Sequence, residues 1–472
     1  MTSATDTIAA VSTPRGKGGV ALIRISGPDA AEIGRKIFIP RGKHPDERPR
    51  YAVLGEAVFP EGSPRAGEPV DSCLATFFSG PASFTGEDTL EISCHGGVLV
   101  TRTLLLAALE AGARQAEPGE FTRRAFASGR ISLPEAEALG MLLDAGTDAQ
   151  LRLSRSGMSG RLTSEITAMR GEITSLLTDL YARIDFPEED LGSIPDGEVT
   201  MRAAKLLEDT EKLASSYRTG KAIAEGIKTV ICGRTNVGKS TLFNRLTGSD
   251  DAIVTDVAGT TRDLLTGTVS LGGVTLRLCD TAGIREGSGD MIENIGIKKA
   301  RERIADAELV LFLIDSSSPP DADDISLAGS LREKSANGTA VIALLSKSDL
   351  DETDKDAEDL WCGFEHKLRI SAETGFGIEL LGRIVADLFT DRETDPARDP
   401  VVCSARQYDA LRRAAGALSD AVGALREGHT ADVVSVCLED AAEALAELDG
   451  RGRGTVSADV IDGIFSKFCV GK

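Results

Sequence analysis

The sequence predicts a multidomain protein of mixed α/β and α class: an N-terminal α+β domain, then a helical domain, with an α/β domain inserted into the helical one. Three observations predict it. Short β-rich runs fill the chain to about residue 120, helical periodicity follows with few breakers, and strand and helix signals alternate from about residue 222 to 390. A chain of 472 residues exceeds one ordinary core, and the expected divisions are 1–121, 122–221, 222–390 and 391–472.

Within the first segment, "GGVALIRIS", "SCLATFFSG" and "DTLEISCHGG" read as strands between Gly/Pro turns, and "GVLVTRTLLLAALEAG" as a helix. The stretch "PEAEALGMLLDAGTDAQLRLSRSGMSGRLTSEITAMRGEITSLLTDLYARI" keeps helical spacing until "DFPEEDLGSIPDG" breaks it. The strand "IKTVICG" opens the third segment, and "VTLRLCDTAG", "AELVLFLID", "TAVIALLSKSD" and "HKLRISA" continue it, the pattern of a parallel sheet flanked by helices. "DRETDPARDP" reads as a linker, after which "SARQYDALRRAAGALSDAVGALREG" and "TADVVSVCLEDAAEALAELDG" return to helix.

A formal net charge of -21 argues against a protein that coats nucleic acid by bulk electrostatics, but leaves room for a local basic patch. The eight cysteines show no C-x-x-C pair and no histidine at zinc-finger spacing, which implies a reducing compartment and no structural metal. The N-terminus lacks the basic start and apolar block of a secretory signal, and no apolar run reaches the roughly 18 residues of a membrane span. A soluble, cytoplasmic protein is expected.

The chemistry concentrates in the third segment. "GRTNVGKS", Gly233 to Ser240, follows a strand and opens a helix, the required context for G-x-x-x-x-G-K-[ST]. Asn236, Val237, Gly238, Lys239, Ser240 and Thr241 would surround phosphate oxygens: backbone N–H groups cradle them, Lys239 reaches the β/γ-phosphates and Ser240 ligates Mg²⁺. "DTAG" (Asp280, Thr281, Ala282, Gly283) suits a carboxylate beyond the metal's ligands and a glycine N–H on the γ-phosphate. "GTTRD", beginning at Gly259, offers Thr261 as a second magnesium ligand. "SKSD" stands where N-K-x-D reads guanine: Asp349 accepts two hydrogen bonds from the base edge, Lys347 covers the base, and Ser346 replaces the usual Asn. Ser371 and Ala372 supply the next base-side loop. These motifs together predict a Ras-like P-loop domain for GTP. Ile284 follows "DTAG" where Ras-like proteins carry a water-orienting Gln, so another residue, a partner or a cation must do that work.

Along nearly its whole length the chain resembles the MnmE family of bacterial tRNA-modification GTPases, also called TrmE. The motifs that carry the resemblance are "DTIAAVSTPRGKGGVALIRISGP", "SFTGEDTLEISCHGG", "PGEFTRRAFASGRISLPEAEAL", "IDFPEED", "GRTNVGKST", "TDVAGTTRD", "DTAGIRE", "ENIGI" and "FCVGK". The resemblance implies GTP hydrolysis activated by K⁺, held by Asn236 and by oxygens of Thr255, Val257 and Thr260, in a loop where Asp256, Ala258, Gly259 and Thr260 also line the nucleotide. It implies Glu293 as the water-orienting group, in a segment one residue longer than the common pattern. It further implies that the first segment binds a tetrahydrofolate derivative through Arg24, Glu91, Arg130 and Lys472, and dimerises. The implied assembly is a homodimer joined to a flavoprotein, MnmG, which carries FAD. The pair would add an aminomethyl or carboxymethylaminomethyl group to carbon 5 of the wobble uridine of certain tRNAs. A ribosome-assembly or other regulatory GTPase switch is the rival class.

Other features have plain readings. His95 satisfies a turn, Arg123 and Arg124 form a solvated helix face, and the C-terminal helices pack as core. The ending "CVGK" outlines a prenylation box, but Gly471 and Lys472 do not suit one and no polybasic segment adjoins it. The resemblance instead places Cys469 beside the one-carbon unit, either reacting or lining the site.

Overall fold

The computed structural model describes residues 6–14, 16–186, 195–248, 252–253, 266–280, 304–350, 354–391, 394–450 and 457–471. They fall into two compact units, residues 1–140 with 449–472, and residues 141–448.

The first unit is built on a seven-stranded sheet of β1 (Ile8–Val11), β2 (Val20–Ser26), β3 (Phe38–Pro40), β4 (Val53–Val58), β5 (Pro69–Phe78), β6 (Thr89–His95) and β7 (Arg114–Gln115). Their order is β3-β4-β5-β6-β2-β1-β7, antiparallel except for the β1–β7 pair. Alternation decides the faces. Ile23, Ile25, Ala75, Phe77 and Ile92 pack with Ile33 and Ile37 of the helix Ala30–Ile37 and with Leu104, Ala107 and Ala108 of the helix Val98–Glu110. One residue out of phase, Arg24 and Glu91 are directly opposite each other on β2 and β6, and so belong to the other face.

The tail returns to this unit. The helix Ala458–Phe465 and the turn after it bring Phe465 and Phe468 against Phe126, Leu133 and Ala136. Val470 then bridges to Pro118, and Gly471 takes φ +100, where an added Cβ would lie 2.2 Å from the Val11 carbonyl oxygen. Glycine is required by both conformation and space.

The expected solvated face of "FTRRAF" is not what forms. In the helix Glu120–Ala127, Arg124 is largely buried and binds Asp6, Glu87 and Glu120, while Arg123 pairs with Asp462. Arg114 adds bonds to Asp6 and Glu120. Burial alone would raise the Glu120 carboxyl, but the Arg114 and Arg124 guanidiniums and the Glu117 N–H outweigh it and hold it below its usual range. His95 binds the Asp71 carboxylate through Nδ1 at 2.8 Å with its ring exposed.

The second unit carries another seven-stranded sheet: β8 (Ile227–Cys232), β9 (Ala252–Ile253), β10 (Thr266–Leu271), β11 (Val274–Asp280), β12 (Leu309–Asp315), β13 (Ala340–Ser346) and β14 (His366–Arg369). The order is β14-β13-β12-β8-β11-β10-β9, parallel from β14 to β11 and antiparallel at β10 and β9. All seven residues of β12 are buried. Leu309, Leu311 and Leu313 pack on one side with Leu242, Leu246, Leu381 and Val385, and Val310, Phe312 and Ile314 on the other with Ala328, Leu331 and Ala357. Two-sided burial explains why this strand reads as an unbroken apolar run.

Around that sheet in sequence stand the helices Arg161–Asp185, Asp196–Ser215, Ala405–Glu427 and Ala431–Asp449. Ile166, Met169, Ile173, Leu176 and Leu180 recur at three- and four-residue spacing and meet Leu206, Leu411, Leu418, Leu438 and Leu445 in one core. The long helical run before them is interrupted where the sequence pattern continued. Thr147 caps the helix Asp148–Gly157, accepting from the Gln150 N–H, and a turn at Ser159–Gly160, with Gly160 left-handed, separates that helix from the next.

The β10–β11 hairpin turns on Gly272 and Gly273, at φ +63 and +83. A Cβ on Gly272 would lie 1.9 Å from the Gly382 carbonyl oxygen in the helix Ile378–Phe389, whereas one on Gly273 meets nothing within 4 Å. Gly272→Ala should therefore cost about 2–4 kcal/mol, and Gly273→Ala only about 1 kcal/mol of left-handed strain. Paired thermal melts of the two variants check this, equal melting shifts being the contrary result.

Candidate functional site

Sheet order reverses at β8, which has β12 on one side and β11 on the other, so a crevice opens beyond their carboxyl ends. The loop from Gly233 to Gly238 emerges there and feeds the helix Lys239–Thr247. Asn236 is exposed at φ +61, Gly238 caps the helix at φ +102, and Val237 is fully buried, so the side chain of Val237 anchors the loop while its neighbours face outward. Lys239 Nζ donates to the carbonyl oxygens of Gly233 (2.9 Å) and Arg234 (2.5 Å), which holds the ammonium inside the loop. Ser240 and Thr241 are exposed in the first helical turn. A helix N-terminus with an ammonium and outward hydroxyls is an anion and hard-cation site by its chemistry.

The base-side motifs follow β13 and β14, on the far side of β12 from β8. Ser346 closes β13 opposite Asp315 of β12, and Asp349 follows, exposed. Buried Ser346 has its Oγ 2.9 Å from the Val237 carbonyl oxygen and 3.1 Å from that of Ile314. Its single proton serves one or the other, so Ser346 ties the guanine-side strand to the phosphate loop rather than facing a base. Lys347 adopts φ +57, a strained setting for a residue with a Cβ, and its Nζ donates to Asp315 Oδ2 at 2.7 Å. Ser371 is buried and accepts from the Thr374 N–H, while Ala372 and Glu373 offer their carbonyls to Arg245 of the phosphate-loop helix.

Asp315 was not singled out by the motifs, yet it joins both halves of the crevice. Besides Lys347 it lies 3.4 Å from Arg234 of the phosphate loop, and Arg234 also binds Ser318 and the Pro319 carbonyl. Burial alone would raise the Asp315 carboxyl, but Lys347, the Ser317 hydroxyl and the Ser317 N–H together lower it to about 2. A depressed carboxylate pKa means the stabilisation is present above the ordinary value near 4 and is lost only as pH falls towards 2, so the clamp stays ionised at neutral pH. The signal in the sequence was an acidic residue closing an otherwise wholly apolar strand.

Asp280 ends β11 opposite Ile231, beside the phosphate loop. Thr255, Asp256, Val257, Ala258, Gly259, Thr260, Thr261, Thr281, Ala282, Gly283 and Glu293 lie outside the described residues, as does Lys472.

In the first unit, Arg24 Nε donates to Glu91 Oε1 at 2.9 Å, and its guanidinium lies 5.0 Å from the Phe84 ring centre and 5.6 Å from that of Phe121. The two aromatic rings were inside the quoted motifs but were not read as part of the site. Phe84 and Phe121 also pack with Val470, so the tail that carries exposed Cys469 shares an apolar cluster with the rings flanking Arg24. Gly119 donates to the Cys469 carbonyl at 3.4 Å. Arg130 is exposed, and its stem lies near Gly86 of the Phe84 loop. By contrast, burial pushes the Cys232 and Cys73 thiols up to about 12 and Cys94 to about 11, which removes them as nucleophiles at neutral pH.

The MnmE helical domain family matches residues 133–469, and the family described as GTP-binding protein TrmE N-terminus matches residues 7–130. The chain is 36% identical to the tRNA modification GTPase MnmE of Desulforamulus reducens over 99% of both chains. It is 39% identical to that of Geobacter metallireducens over 99% of both, and 37% identical to that of Thermotoga maritima over 99% of this chain and 100% of the relative. Matching over essentially its entire length, the chain belongs to the MnmE family of tRNA modification GTPases.

Proposed function

We propose that this chain hydrolyses GTP in the crevice at β8 and uses the cycle to drive modification of carbon 5 of the wobble uridine in certain tRNAs. The observation that carries the reading is the hydrogen bond from Ser346, at the end of β13, to the Val237 carbonyl of the phosphate loop, in a chain related to MnmE proteins from end to end.

Lys239 neutralises the β/γ-phosphates, and Asp349 accepts from the guanine edge. The exposed hydroxyl of Ser240 suits Mg²⁺, with Thr261 as its second protein ligand. Asn236, outward-facing on the loop, would hold K⁺ with Thr255, Val257 and Thr260, which supplies positive charge where charge develops between the phosphates. Glu293 orients the attacking water.

The paired Arg24 and Glu91, with Arg130 and Lys472, are assigned to a tetrahydrofolate derivative, and the half-buried ring of Phe84, backed by buried Phe121, gives a flat ligand apolar surface. Cys469 is placed at the one-carbon unit. The first segment dimerises, the inserted domain turns over GTP, and the helical segments connect them. A flavoprotein of the MnmG kind, carrying FAD, is the partner.

Mass spectrometry of tRNA nucleosides tests the proposal: deletion should remove the modified wobble uridine and leave ribosome profiles normal, with GTP turnover faster in K⁺ than in Na⁺. Unchanged nucleosides would sink it.

A further inference from the structure

In a chain of net charge -21, the segment from Arg35 to Tyr51 holds six cations and two carboxylates. It runs from the first helix through β3, the edge strand of the first sheet, and the turn that leads to β4. Lys36 pairs with Glu32 and Arg35 with Asp46. Arg41, Lys43, Arg48 and Arg50 are exposed, and none has a carboxylate partner among the described residues. Other cations of the unit, Arg24, Arg114, Arg123 and Arg124, each pair with a carboxylate.

The backbone holds this cluster in place. A short 3₁₀ turn at Pro45–Glu47 is followed by bonds from the Arg48 N–H to the Pro45 carbonyl and from the Tyr51 N–H to the Arg48 carbonyl. Arg50 is kept at φ +67 by its N–H to the Phe77 carbonyl at 2.7 Å, and its Nη2 donates to the Ala82 carbonyl at 2.6 Å. A left-handed arginine costs about 1 kcal/mol or more, and proteins retain such strain where a surface has a use. Tyr51, 62% exposed, carries the Arg48 guanidinium 4.7 Å from its ring centre.

We propose that this edge is an RNA-contact surface, on which Arg41, Lys43, Arg48 and Arg50 meet tRNA phosphates and Tyr51 stacks on an unpaired base. Cations without carboxylate partners beside an exposed aromatic ring match single-stranded or loop RNA, which offers phosphates and base faces together. An acidic protein surface would use the charges but has no need of the ring. The inference rests on tRNA being the substrate.

The test uses the full chain with its GTPase activity as the folding control, and fluorescently labelled tRNA from the same cells as the probe. Arg41→Glu/Lys43→Glu/Arg48→Glu should weaken tRNA binding about tenfold or more at 100 mM salt, and flatten the dependence of log affinity on log salt by about 2 to 3 units. Tyr51→Ala should lose about fivefold or more, and Tyr51→Phe should retain binding. Unchanged affinity and slope in the triple variant, with the unaltered chain still binding and supporting tRNA modification, overturns this surface while leaving the substrate assignment standing. Loss of flavoprotein binding with tRNA affinity intact gives the patch to a protein and overturns it too. If the unaltered chain and its partner neither bind nor modify tRNA, the substrate assignment itself falls.

Discussion

Lys239→Ala should lower GTP turnover by about 10²–10³-fold, the usual cost of deleting one preorganised donor from a site where anionic charge builds up. The ammonium is held at the loop, where Nζ donates to the carbonyls of Gly233 and Arg234. Phosphate takes the place of bulk water in the surrounding loop, and the lower dielectric there strengthens each charge contact. Lys239→Arg should not restore activity, because a planar guanidinium cannot occupy the pocket of a compact ammonium between two backbone carbonyls. Single-turnover hydrolysis at saturating GTP separates this from weak binding, and turnover within about threefold of the unaltered chain would contradict the role.

Asp349→Asn should turn base preference from guanine towards xanthine. A carboxylate accepts from both the ring N–H and the exocyclic amine of guanine, whereas an amide presents one acceptor and one donor. An unmatched polar edge in a built site costs affinity steeply, so GTP binding should fall by about 10²-fold or more while xanthosine triphosphate gains. Lys347 is a less direct lever, because its Nζ is held by Asp315. Competition between the two triphosphates for one labelled nucleotide reads the change, and unaltered preference for guanine would remove Asp349 from base reading.

Much of this architecture was legible because it depends on local pattern. The all-buried β12 announced itself as an apolar run, and the phosphate loop by its spacing between strand and helix. The break at Thr147 was harder to see, since a cap interrupts the chain without interrupting its apolar spacing. Arg124 was misread as solvated because its partners, Asp6 and Glu87, are far away in sequence. The same holds for Asp315: its role as a clamp exists only once β12 and β13 are side by side, bringing Lys347 within 2.7 Å. Ser346 was legible as a departure from the usual motif, but only the fold gives its hydroxyl a place, against the phosphate-loop carbonyl.

The return of the tail has a consequence for how the protein is made. Ribosomes release the chain from its N-terminus, and domains generally fold as they emerge. Here the sheet around Arg24 appears first, but the strand partner of Pro118 and the aromatic residues that cover Phe126 and Leu133 are encoded after the whole of the second unit. The first unit therefore waits, with an apolar patch uncovered, until Phe465, Phe468 and Val470 have been made. A chain halted within the second unit already holds its phosphate loop but lacks Phe465, Phe468 and Val470, so the apolar clusters around Phe126 and Phe121 close only after that loop has been made.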